Sequence, residues 1–169
     1  MIEGKPLKQD VDGYNSITKA IMDMVNKYPG LDRKLGEHFE FCETAPEEGL
    51  SIWATVGSVV LDDRESICGH VWQQCVYPFS VVYRASGLTE KRKIQVKDWM
   101  DSFASWMTRQ PVVLGKTTHK LESWPVLSHE REIKNIVKQS PAYITTIDDG
   151  KSEICAMDMQ IRYTNEFDR

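Results

Sequence analysis

Thiol and imidazole come nearest to a chemical grouping in this chain at Cys68, His70 and Cys75, which are its best starting point for chemistry. Such groups could hold a metal ion or activate a nucleophile. Alternation along a strand, however, puts Cys68 and His70 on one face and Cys75 on the other. Three ligands divided across a sheet cannot close a tetrahedron. The remaining thiols, Cys42 and Cys155, form no CxxC spacing with these, so all four read as small buried hydrophobes. The other histidines, His38, His119 and His129, stand in no nucleophile motif, and no GxSxG, HExxH, Walker or GxGxxG string occurs. Carboxylate pairs at Glu47-Glu48, Asp62-Asp63 and Asp148-Asp149 could exchange protons, but each sits in turn-forming sequence that favours solvated acids. The expectation is a protein without catalytic residues, metal or cofactor. The competing expectation, a small enzyme or ligand-binding α+β domain, would use His70, Cys75 and the nearby carboxylates.

Contact chemistry is better represented. Of five tryptophans, Trp53 and Trp72 point away from the strand faces that carry Ile52 and Val71. Either both sheet faces are covered or the outer one is a protein interface, and the interface is the favoured reading. Asp62-Asp63-Arg64-Glu65 reads as an exposed charged loop between strands, where contacts are commonly made. Pro78 interrupts a long strand and cannot donate a ladder hydrogen bond, so a bulge or an edge is expected there. Trp53, Asp62, Asp63, Arg64, Glu65, Trp72 and Pro78 are thus the candidate interface residues. Lys91-Arg92-Lys93 opens a helix where cations oppose the dipole, which suits solvated charge or, as the alternative, a partner's acidic patch.

The elements that would position these groups follow from periodicity. Residues 1–13 read as a flexible arm, and residues 14–169 as one domain. Asn15 or Ser16 is placed to cap a first helix bearing Ile17, Ile21, Met24, Val25 and Tyr28, closed by Pro29-Gly30, with a short helical turn over residues 31–35. Strands are expected over residues 38–42, 50–56, 67–83, 132–137, 143–147 and 152–163. In the last, Cys155, Met157, Met159, Ile161 and Tyr163 make one face apolar. Between residues 89 and 109 the period becomes helical, with Val96, Trp99, Met100, Phe103 and Met107 on one stripe. Trp106 falls about 20° off that stripe, at its margin. Residues 112–129 read as irregular. The order gives an α+β domain, a mostly antiparallel sheet of about five strands with two main helices on one face.

Composition narrows the classes further. With 169 residues the chain can bury one real core, and a net charge of −4 gives no non-specific attraction to nucleic acid. No apolar run approaches the roughly 20 residues of a membrane span. The first residues lack the apolar stretch of a secretory signal, so residence in a cytosol is expected.

Several strings resemble one family, the minor capsid or tail-terminator-like proteins of long-tailed phages. They are Tyr77-Pro78-Phe79, the helix segment Trp99-Met100-Asp101-Ser102-Phe103-Ala104-Ser105-Trp106, and the closing strand Met157-Asp158-Met159-Gln160-Ile161-Arg162-Tyr163. The helix and Pro-Gly opening at residues 21–31 is similar as well. Residues 62–65 and 112–129 have no counterpart in the family pattern. The resemblance implies a virion protein assembled in the host cytoplasm, with no catalytic residues. It implies a homo-oligomeric ring, six subunits in the family, that caps the tail tube and meets the head-tail connector. DNA would pass through without specific binding, and acidic turns at Glu47-Glu48 and Asp62-Asp63 would suit the lumen. Another head–tail joining or adaptor protein of the same plan is the alternative.

Overall fold

The structure is a computed structural model that describes residues 14–41, 48–54, 56–128, 130–146 and 152–169. The expected arm at residues 1–13 lies outside these residues, as do Cys42, Glu47, His129, Asp148 and Asp149.

Two strands of 17 residues, β4 (His70–Ser86) and β9 (Ser152–Asp168), form the spine. They pair antiparallel along their whole length, from His70↔Asp168 to Ser86↔Ser152. At strand rise this spine is roughly 55 Å long. Shorter strands flank it in tandem. β2 (Gly49–Ala54) and β3 (Val59–Glu65) lie one after the other along β4, and β7 (Arg131–Lys138) and β8 (Tyr143–Thr146) along β9. β1 (Phe39–Phe41) adds to β2 in parallel. Among the described residues the sheet is therefore mixed and seven-stranded, larger than the sheet of about five strands expected from sequence. The α+β class stands.

α1 (Tyr14–Val25) and α2 (Glu90–Met107) cover one face. α1 lays down Ile17, Ile21, Met24 and Val25, and Tyr28 follows just past its end, all five buried as expected. The helix already begins at Tyr14, so Asn15 and Ser16 lie within its first turn instead of preceding it. Thr89 caps α2, its side chain accepting from the Arg92 N–H. Tyr28, Phe39, Trp99, Phe103 and Trp106 then meet as an aromatic cluster with ring centroids 5.1 to 6.4 Å apart. Trp106 is only 4% exposed, not marginal, because Tyr28 reaches across from the α1 side to enclose it. Gly30 is required beneath this cluster, since a Cβ there would lie 2.4 Å from the Tyr28 ring.

Strand alternation sends Cys75, Tyr77, Phe79 and Val81 from β4, with Cys155, Met157, Met159, Ile161 and Tyr163 from β9, into the helix-side core. Val76, Val82 and Ala156 are buried on the opposite face and stand outside that core. Residues 112–119, expected to be irregular, form a hairpin of β5 (Val112–Leu114) and β6 (Thr117–His119). The chain then returns along α2, where Trp124 Nε1 donates to the Met107 carbonyl at 2.9 Å and Leu127 is buried.

Candidate interaction surface

Pro78 sits where the two strands that flank β4 meet. β3 pairs with residues 71–76 and β2 with residues 79–84, so Tyr77 and Pro78 fall between the two pairings. On the other side Pro78 faces Gln160 in unbroken register. The proline thus marks neither a sheet edge nor a bulge, but the junction of two flanking strands, where a missing ladder donor costs least.

Trp53 pairs with Ser80 and Trp72 with Glu166, so the two indoles share the face turned away from the helices. No helix among the described residues packs on this face. Trp53 remains 38% exposed and Tyr143, beside Ala156, 45%. Arg64 lies over the Trp72 ring, its guanidinium carbon 5.6 Å from the centroid, and bridges to Asp62 at 3.3 Å. On the same face, Ser80 Oγ donates to Asp158 at 2.6 Å and holds that carboxylate in place.

Asp62, Asp63, Arg64 and Glu65 do not form a loop. They are the second half of β3, paired with residues 71–74 of β4. Alternation turns Asp62 and Arg64 to the helix-free face, and Asp63 and Glu65 to the helix side. An acidic loop aimed at a lumen is therefore not formed by these residues. Three consecutive apolar residues precede them on the same edge strand, Val59, Val60 and Leu61, exposed by 40%, 50% and 62%. A bulge between Val60 and Asp62 sets Leu61 out of the ladder.

Cys68 and His70 do not share a strand, because residues 66–69 form a turn and β4 starts at His70. Cys68 is exposed, while Cys75 is buried against the core. The thiol–imidazole grouping suggested by sequence is not assembled. His70 instead ties down the end of β9. Its Nδ1 lies 2.8 Å from Asp168 and its Nε2 3.7 Å from Glu166. The hydrogen bond to Asp168 raises its pKa above the ordinary 6.5. Arg169 secures the same corner, bonding Glu65 at 2.9 Å and donating its backbone N–H to the Gly69 carbonyl. Burial pushes the Cys75 thiol upward, the Cys155 thiol to about 11 and the Tyr163 phenol to about 12, so these groups stay neutral. Among the described residues, no three His, Cys, Asp or Glu side chains are grouped to hold a metal ion.

One cavity of about 240 Å³ opens on the helix side, lined by Glu37, Leu50, Tyr83, Arg92, Gln95, Val96 and Trp99. Arg92, read as a solvated cation, stands at its rim. No family model matches this chain, and no curated protein matches it.

Proposed function

We propose that this chain is a structural virion protein of a long-tailed phage, resembling the tail terminators. It caps the tail tube and joins it to the head connector as a closed ring of its own copies, most simply a hexamer. DNA passes through that ring without being read. The proposal treats the protein as an assembly part with no reaction of its own.

One observation carries this reading. The three strings that bear the resemblance are neighbours in space, two of them paired within the spine and the third in the helix packed on it. Tyr77, Pro78 and Phe79 pair with Ile161, Gln160 and Met159, and the core helix segment from Trp99 to Trp106 packs in the same apolar cluster. Among the described residues that unit is covered by helices on one side only, and its other side carries Trp53, Trp72 and Tyr143. Outward aromatic residues on a rigid sheet suit subunit or tube contacts.

Mixing the purified protein with tail tubes and connectors, and recovering bound material by sedimentation, tests the reading. It should co-sediment with both at a fixed ratio. Indifference to tubes and connectors alike would dismiss it.

A further inference from the structure

In one half of the sheet the strand order is β3-β4-β9-β7, and every neighbouring pair is antiparallel. Four alternating strands leave the outer two, β3 and β7, running in opposite directions. Their outer edges have no strand partner among the described residues. A second copy set beside the first by rotation alone would therefore bring its β3 antiparallel to β7, continuing the sheet. A sheet half with an odd number of strands could not do this.

The side chains on the two edges are complementary row by row. Asp63, Gln73, Asn165 and Arg131 form one row, bridged at its centre by the Asn165–Gln73 side-chain hydrogen bond of 3.1 Å. The neighbouring row on the same face is Val60, Cys75, Tyr163 and Ile133. Unstaggered addition of a copy would set Arg131 against Asp63 and Ile133 against Val60.

Charge pairing within the chain singles out the same two residues. On β3, Asp62 bridges Arg64, and Glu65 bridges Arg169. On β7, Glu132 bridges Lys134, and Lys138 bridges Asp101 of α2. Asp63 and Arg131 are the charged residues of these two strands with no ion pair among the described residues. Arg131 also keeps one buried guanidinium nitrogen without a hydrogen-bond partner there. Both edges carry a bulge, at Leu61 and at Lys134, one row apart. Bulges and charges discourage indiscriminate strand addition, so the occupant must match them.

We infer that β3 of one copy pairs with β7 of the next, sealed by an Asp63–Arg131 ion pair and a Val60–Ile133 contact. This is a head-to-tail contact, which closes a ring or runs on as a filament. It rests on the ring reading above and supplies its subunit joint.

Paired cysteines test the joint. In a Cys42→Ser, Cys68→Ser background, Asp63→Cys and Arg131→Cys proteins would be made separately and together, and oxidised mildly. The mixture of single variants should give a covalent dimer, and the double variant a ladder of linked copies, while each single variant alone stays unlinked. Native mass measured in parallel separates the possible failures. A closed oligomer without the cross-link would overturn the edge assignment and leave the ring standing. Cross-linked open filaments would support the joint and overturn the ring. A monomer that neither cross-links nor assembles would overturn both.

Discussion

Asp63 and Arg131 terminate the same row of the sheet at its two opposite edges, joined through Gln73 and Asn165. Each is left without an ion pair among the described residues, although its charged neighbours on the same strand are all paired. Reversal of either charge should weaken self-association at least tenfold and leave the monomer folded. Asp63→Arg combined with Arg131→Asp should restore it. Sedimentation velocity over a dilution series reads the association, and circular dichroism the fold. Single reversals that associate normally would count against the ion pair.

The aromatic cluster should dominate the stability of the monomer. Phe103→Ala removes a fully buried ring beside Tyr28, Phe39 and Trp99, and should cost about 3–5 kcal/mol in denaturant unfolding. Trp53→Ala, on the helix-free face, should cost under about 1 kcal/mol. An equal loss at both positions would contradict the one-sided core.

Gly30 offers a test from the opposite direction. Gly30→Ala forces a methyl into the Tyr28 ring and displaces the carbonyl that accepts the Trp99 Nε1 hydrogen bond at 3.0 Å. A loss of about 1–3 kcal/mol is expected, with blue-shifted or broadened tryptophan fluorescence as the cluster rearranges. Unaltered stability would mean that the ring does not lie over Gly30.

His70 gives the corner of β9 a pH dependence. Its folded-state pKa is raised by the Asp168 hydrogen bond, so that contact is fully present below the unfolded value near 6.5. It is lost as pH rises through the higher folded-state value. Imidazole NMR signals should titrate above 6.5, and Asp168→Asn should bring the midpoint down. A midpoint unmoved by that substitution would remove Asp168 as the cause.

Thiol accessibility separates the cysteines sharply. Cys68 lies in an exposed turn, whereas burial holds Cys155 near 11 and raises Cys75. Limited alkylation followed by mass spectrometry should label Cys68 well before the other two. Comparable labelling of Cys155 would contradict its place in the core.

Much of the domain was legible because its periods are clean. The stripe Ile17, Ile21, Met24, Val25, the stripe Val96, Met100, Phe103, Met107, and the alternating faces of residues 155–163 each specify their own burial. Residues 62–65 misled because four charges in succession signal a loop. An edge strand tolerates them, since β4 supplies the ladder and both faces there are wet. The hairpin at residues 112–119 had its signal, β-branched pairs on either side of Gly115-Lys116, and Gly115 adopts the positive φ of 65° that such a turn requires. The parallel union of β1 with β2 and the enclosure of Trp106 by Tyr28 depend on distant contacts that no local pattern encodes. The same holds for the candidate surface. Trp53 and Trp72 were readable as outward residues, but the matching of Asp63 with Arg131 needed the register of four strands.

The most direct measurement is the native mass of the protein over a wide concentration range, alone and with tail tubes, paired with negative-stain images of the largest species. The account predicts one discrete closed ring, six-fold in mass, that seats on tube ends. A strict monomer that ignores tubes and connectors at every concentration would contradict it.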